Sequence, residues 1–127
     1  MAERRTRRLG DLQLRILKVL WGKGPLAVAE VHGELGAGEF AYTTIATMLR
    51  KMERRDLVRH TEDGRRFIYE AAVTAEEVTR SMTDDLVDRL FEGSLADTVH
   101  HLLDARDVTA QELDRLEQLI RERRKER

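Results

Sequence analysis

AYTTIATMLRKMERRDLV, residues 41–58, is the stretch on which the reading of this chain turns. At about 100° per residue, Ile45, Met48, Leu49 and Met52 fall in one narrow arc, at the i, i+3, i+4, i+7 spacing of a helix that buries one face. The opposite side carries Thr43, Thr47, Arg50 and Arg54. Ala46 and Lys51 flank them, and Tyr42 and Thr44 stand at the helix start. The only acid between positions 41 and 55 is Glu53. Threonine is a middling helix former because of its β-branch, so three of them in five positions serve something other than helix stability. Hydroxyls near a helix N-terminus can donate to phosphates or base edges, and the helix dipole favours an anion there. Arginines further along suit phosphate or the guanine edge, and a small Ala46 lets the backbone approach a groove floor, its methyl meeting a thymine methyl. Taken alone, the same face is also what a solvated helix surface looks like. Its surroundings decide between the two.

Upstream, LGDLQLRILKVLW (9–21) places apolar side chains at 9, 12, 16, 19 and 20, which predicts a first helix stopped by Gly22, Gly24 and Pro25. Residues 26–35 read as a short second helix with Val28, Val31 and Leu35 inward, broken by Gly36 and Gly38. The third helix covers 41–55. Downstream, LVRHTEDGRRFIYEA (57–71) has two β-prone runs around Asp63-Gly64, a strong hairpin signal. Its strands are expected at 57–61 and 67–71, with Arg65 and Arg66 at the tip. Helix, helix, helix, hairpin is the order of a winged helix-turn-helix. The fold class expected is therefore mainly α with a small β-hairpin wing. A winged-helix DNA-binding domain is expected over 1–72 and a helical dimerisation domain over 73–127.

Beyond residue 73 the chain reads as wholly helical. Thr74 with Glu77 and Thr109 with Glu112 are capping-box patterns. Val78, Met82, Leu86, Val87, Leu90 and Phe91 form a helical stripe that ends at Gly93. Leu95, Val99, Leu102 and Leu103 mark a short helix, and Leu113, Leu116, Leu119 and Ile120 a last one that runs into RERRKER. Isolated helices this short are marginal in water, so their apolar faces need a partner. The simplest is the same segment of a second chain, which predicts a two-fold homodimer through residues 74–127.

Composition narrows the possible functions. The 127 residues fit one domain or a small domain plus an appendage. Aromatics are 5%, too few for a platform that stacks single-stranded bases. There is no cysteine, which excludes disulfides, zinc fingers and thiolate metal sites. No apolar run approaches the roughly 20 residues that span a bilayer, so membrane insertion is not expected. The net charge of −1 conceals a split. Residues 1–70 hold 14 Lys and Arg against 10 Asp and Glu, while residues 71–127 hold 9 against 14. Any polyanion is expected at the basic front half.

Other chemistry-bearing residues read as structural. His100 and His101 point about 100° apart on a helix and do not converge on a metal. Asp84, Asp85 and Asp88 beside Arg89 read as a solvated helix face, and Trp21 as core. Ser81 and Ser94 lack the setting of a nucleophile, and no glycine-rich phosphate loop follows a strand. No catalytic constellation and no cofactor are expected. The basic run Arg4, Arg5, Arg7 and Arg8 is placed to reach backbone phosphate, although such tails are as often merely solubilising.

In LGDLQLRILKVLW, AEVHGEL (29–35), AYTTIATMLRKMERRDLVRH (41–60), GRRFIYEA (64–71) and the helical tail at 91–120, the chain resembles the penicillinase-repressor family, the BlaI/MecI/CopY group of bacterial transcriptional repressors. The resemblance covers nearly the whole chain. It implies a cytoplasmic dimer whose winged domain binds inverted-repeat operator DNA and whose helical region dimerises. Family positions that touch DNA match Thr43, Thr44, Ala46 and Thr47. Some members have Lys and Arg where this chain has Thr43 and Ala46, a departure that bears on which operator is read. With the residue chemistry above, the expected interface is Tyr42, Thr43, Thr44, Ala46, Thr47, Arg50, Lys51, Arg54, Arg65 and Arg66. In β-lactam-responsive members a membrane sensor metalloprotease triggers cleavage of an Asn-Phe bond in the dimerisation region, and the matching positions here are His101 and Leu102. The copper-responsive branch uses a C-terminal cysteine cluster, which this chain lacks. The rival expectation is a winged helix that docks protein and shows no sequence preference for duplex DNA.

Overall fold

The structure is a computed structural model that describes residues 6–126. Its elements, in chain order, are α1 (Asp11–Lys23), β1 (Leu26–Ala27), α2 (Val28–Glu34), α3 (Tyr42–Arg54), β2 (Val58–Asp63), β3 (Arg66–Ala71), α4 (Ala75–Phe91), α5 (Leu95–Ala105) and α6 (Ala110–Lys125). The expected class holds: mainly helical with a small antiparallel sheet, arranged as a winged helix-turn-helix. The described residues form two compact units, one ending at Leu86 and one beginning at Val87.

In the first unit, each helix contributes the face its periodicity predicts. Ile16, Leu17 and Leu20 of α1, Val31 of α2, and Ile45, Leu49 and Met52 of α3 are buried in one cluster with Leu35, Leu57, Val58, Tyr69, Val73 and Val78. Met48, expected inward, is only half-buried at the margin of that cluster. Trp21 packs at the margin too, and its indole Nε1 donates to the Val73 carbonyl at 2.9 Å, tying α1 to the chain that leaves the sheet.

Two element boundaries differ from expectation. α1 continues through Gly22 to Lys23. Gly24, at φ 84°, is the residue that ends it, and its N–H reaches the Leu20 carbonyl at 2.9 Å. The left-handed region is what only glycine enters freely. Residues 26 and 27, read as the start of the second helix, are instead an edge strand pairing with Tyr69 and Ile68. α2 begins only at Val28, where the Glu30 carboxylate accepts from the Ala27 N–H at 2.9 Å. The helical spacing of Val28, Val31 and Leu35 was genuine. It simply could not reveal that the two residues before it extend a sheet.

The sheet order is β1-β3-β2, antiparallel throughout. The strands of the wing run further toward the tip than expected, with Asp63 opposite Arg66. The two-residue loop is Gly64-Arg65, and only Gly64 has positive φ, at 64°. This is the pattern of a type II′ turn with glycine first, rather than a turn centred on Asp63-Gly64. Arg65 is thus at the tip, while Arg66 opens β3.

α3 ends in a Schellman motif. Asp56 adopts φ 59°, the Leu57 N–H reaches the Met52 carbonyl at 3.0 Å, and the Asp56 N–H reaches that of Glu53 at 3.0 Å. Leu57 and Met52, brought together by that turn, are both fully buried. The same turn aims the chain from α3 straight into β2, which positions the wing.

α4 starts as its capping box predicts. The Glu77 N–H donates to Thr74 Oγ1, and the Thr74 N–H to Glu77 Oε1, both at 3.0 Å. Within the first unit α4 buries Val78, Ser81 and Asp85. The burial of Asp85 corrects the solvated-face reading: Asp84 and Asp88 are exposed, but Asp85 is 6% exposed and lies 3.8 Å from Arg7 Nε and 3.9 Å from Arg8 Nε. Arg7 and Arg8 are therefore gathered beside an acid rather than extended as a tail. Arg4 and Arg5 lie outside the described residues.

In the second unit, α5 is capped by Ser94, whose Oγ accepts from the Asp97 N–H at 3.0 Å, and α6 by Thr109, whose Oγ1 accepts from the Glu112 N–H at 3.1 Å. α6 buries no residue at all. Leu90, Leu95, Leu102, Leu119 and Ile120 are exposed.

Candidate nucleic-acid interface

α3 displays every polar residue expected of it. Tyr42, Thr43, Thr44, Thr47, Arg50, Lys51 and Arg54 are exposed, and Ala46 is half-buried between them. Arg50 Nη2 donates to Thr47 Oγ1 at 3.3 Å, which lays the guanidinium along the outer face. No side chain caps the N-terminus of α3, and its first turn contains no acid. The Thr44 N–H is already bonded to the Ala41 carbonyl at 3.1 Å, but the positive end of the helix dipole meets no side chain of opposite charge in that turn and favours an external anion.

The placement of α3 is set by the turn before it. Arg15 of α1 reaches across to Glu39 with two parallel bonds, Nη1 to Oε1 at 2.9 Å and Nη2 to Oε2 at 3.1 Å. The guanidinium also sits 5.3 Å from the Phe40 ring centroid. Hydrogen bonding to Arg15 holds the Glu39 carboxyl below its ordinary pKa and raises that of Arg15. His32 of α2 contacts the Phe40 carbonyl through Nε2 at 2.7 Å. Both tether the loop that delivers the chain to Tyr42.

Between α3 and the wing runs a groove. Ala27, Val28, Ala29, Phe67 and Tyr69 give it an apolar floor, and Tyr42, Ala46, Arg50, Arg65 and Arg66 form its sides. Sequence spacing alone does not bring residues from 42–50 and 65–66 together; the fold does. Arg66 also lies 3.5 Å from Asp63 across the base of the turn, an exposed pair of small energetic weight. Three residues of this region were missed by sequence reasoning: Glu53 as an inward-facing group, His60 and Phe67. The β-alternation of HTED and RFIYEA could have shown that His60, Phe67 and Tyr69 share one sheet face. The Tyr69 hydroxyl is raised above its usual pKa, first by burial and then by the nearby Glu53 carboxylate.

His101 and Leu102 are both exposed in the interior of α5, with the His101 ring tilted 5.6 Å from that of Phe91. His100 faces Asp104 at 3.4 Å, one helical turn on. Among the described residues no group of three or more His, Asp or Glu is spaced to hold a metal ion, and no helix is long and apolar enough to cross a membrane.

A family description, penicillinase repressor, matches residues 9–122, which span the whole groove and the helical tail. The chain belongs to the penicillinase repressor family. A penicillinase repressor of Bacillus licheniformis is 24% identical over 115 residues, 90% of either chain. A transcriptional regulator BlaI of Mycobacterium tuberculosis is 31% identical over 118 residues, 91% of this chain and 84% of that one. The solution structure of the DNA-binding domain of the repressor BlaI matches with a TM-score of 0.50 at 26% identity, over 57% of this chain and 89% of that domain. As a member of the penicillinase repressor family, the chain is a transcriptional repressor of winged-helix type and not an enzyme.

Proposed function

We propose that this chain binds inverted-repeat operator DNA as a homodimer, with α3 in the major groove and the wing on the flanking backbone. The observation that carries the reading is the outer face of α3. Thr43, Thr44, Thr47, Arg50, Lys51 and Arg54 all stand in solvent on a helix whose single acid is turned away, and Arg50 shares a groove with Arg65 and Arg66 of the wing. In this reading Tyr42, Thr43, Thr44, Ala46 and Thr47 face bases or nearby phosphates, while Arg50, Lys51, Arg54, Arg65 and Arg66 neutralise phosphate. The related repressors are its support from outside the chain.

The division proposed is a winged-helix domain over 1–72 and a dimerisation domain over 73–127, acting in the bacterial cytoplasm. Two copies joined through residues 74–127 would present two α3 helices to two half-sites about one helical turn apart or slightly more. The exposed leucines of the second unit favour such pairing, because a soluble monomer rarely leaves this many large apolar side chains unpartnered. Induction belongs to the same proposal: a membrane sensor metalloprotease leads to cleavage between His101 and Leu102, which separates the dimer from DNA. Both residues are exposed, and their position inside α5 requires that helix to unwind locally for a protease to grip it. A chain that stays intact in induced cells would remove the cleavage step alone.

The test is a fluorescence-anisotropy titration of the full chain against duplex from the promoter upstream of its own coding sequence, with a scrambled duplex of equal length as competitor. Preference for the promoter duplex is expected. Equal affinity for both would leave the protein-docking reading standing instead.

A further inference from the structure

The one acid of α3 has a defined place in the fold. Glu53 Oε2 accepts from the His60 main-chain N–H at 3.2 Å, and both carboxylate oxygens lie 2.7 Å from His60 Nδ1. The two side chains are 31% and 27% exposed, so the pair is partly sheltered from water. The His60 ring stacks on Phe67, with centroids 4.1 Å apart and planes 14° from parallel, and leans on Tyr69 at 5.5 Å. Tyr69 is anchored in the core, and Phe67 directly follows Arg66. An unbroken series of contacts therefore leads from the body of α3 through Glu53, His60 and Phe67 to the turn that bears Arg65 and Arg66.

We propose that Glu53 is a positioning residue for the wing. By holding His60, and through it Phe67, it fixes the angle at which the Arg65–Arg66 turn stands beside α3. Both basic sides of the groove then meet the same stretch of duplex backbone. A two-stranded ribbon at the end of a small sheet twists readily on its own. A ribbon already held in its docking position loses less freedom on binding. This inference rests on the DNA-binding reading above.

The sign of the effect separates this role from a bland one. An acid with no positioning task, standing on a helix that faces a polyanion, only repels it, and removing it strengthens binding. An acid that holds the wing does the reverse.

The experiment measures affinity of the full chain for promoter duplex, by anisotropy across a series of KCl concentrations. The proteins are wild type, Glu53→Gln, Glu53→Ala, Arg65→Ala/Arg66→Ala, and the combination of Glu53→Ala with both arginine changes. Glu53→Ala is expected to weaken binding roughly tenfold and to lower the slope of log affinity against log salt by up to about 1.8, the value for two phosphate contacts at about 0.9 each. Glu53→Gln keeps an acceptor for the His60 N–H and is expected to recover most of both. In the background lacking the wing arginines, Glu53→Ala is expected to cause no loss of affinity and no fall in slope, since no wing charge remains to be placed. If the alanine variant does not fold, His60→Phe gives the same reading: it keeps the stacked ring and the main-chain N–H but removes the ring nitrogen, and the slope should again fall. Tighter binding by Glu53→Ala, an unchanged slope, or an equal loss in the arginine-free background overturns the inference. Wild-type protein with no preference for promoter duplex overturns the DNA-binding reading itself.

Discussion

Replacing Leu90 by alanine tests the dimer directly. Leu90 is 68% exposed in the single chain, two turns beyond Met82 and one beyond Leu86, which is itself 45% exposed. The alanine change removes three carbons, roughly 2.4 kcal/mol of transfer free energy at about 0.8 per buried carbon. If pairing covers the 68% now exposed, the loss is about 1.6 kcal/mol per protomer. A two-fold interface counts it twice, for about 3 kcal/mol, or roughly two orders of magnitude in the dimer dissociation constant. Leu90 takes no part in the buried cluster, and alanine is at least as good a helix former, so far-UV circular dichroism should not change. Sedimentation velocity over a dilution series reads the constant. Wild-type protein that sediments as a monomer at micromolar concentration refutes the reasoning, and so does an alanine variant with the wild-type constant and intact helicity.

Four further outcomes follow from the structure. Thr47→Ala should reduce the preference for promoter over scrambled duplex by roughly 1–2 kcal/mol, measured by competition anisotropy; an unchanged ratio takes Thr47 out of the readout. Arg50→Ala should weaken all duplexes alike and lower the salt slope by about 0.9, and a loss confined to the promoter duplex would instead assign Arg50 to a base. Leu49→Ala empties a fully buried position and should lower the unfolding free energy by about 2–5 kcal/mol in urea titration, with a loss under about 1 contradicting its burial. Glu39 has its pKa lowered by Arg15, so its contribution is present above the ordinary carboxylate pKa and is lost as pH falls through the depressed folded value. The melting-temperature gap between wild type and Glu39→Gln should thus be open at neutral pH and close in acid; a gap that widens in acid reverses the sign.

The wing and the outer face of α3 were legible because each follows from short-range rules. A glycine-containing break between two β-prone runs signals a hairpin locally, although the turn itself is Gly64-Arg65 and not Asp63-Gly64, and a 3.6-residue period sorts Ile45 and Leu49 from Thr43 and Thr47 without help from the rest of the chain. What escaped depends on distant partners. Leu26 and Ala27 are a strand only because β3 offers them a free edge some forty residues later. Asp85 is buried beside Arg7 and Arg8, nearly eighty residues upstream, whereas its neighbours Asp84 and Asp88 are exposed. Glu53 reads as an exception on a basic face until His60 arrives from β2 to meet it.

Periodicity has one further blindness, and it bears on function. It marks a face that will be buried but not by what. From Val78 to Leu90 the apolar stripe of α4 is continuous in sequence, yet burial along it fades. Val78 is 2% exposed and Met82 packs partly on the core, while Leu86 and Leu90 are 45% and 68% exposed. Neither Leu86 nor Leu90 joins the buried cluster. Leucine exposed at this spacing adds nothing to the stability of a lone chain, and Leu102, Leu119 and Ile120 show the same mismatch on α5 and α6. Apolar side chains at helical spacing that stay exposed in a single chain are accounted for if another surface covers them. A second copy supplies an equally apolar surface by symmetry alone.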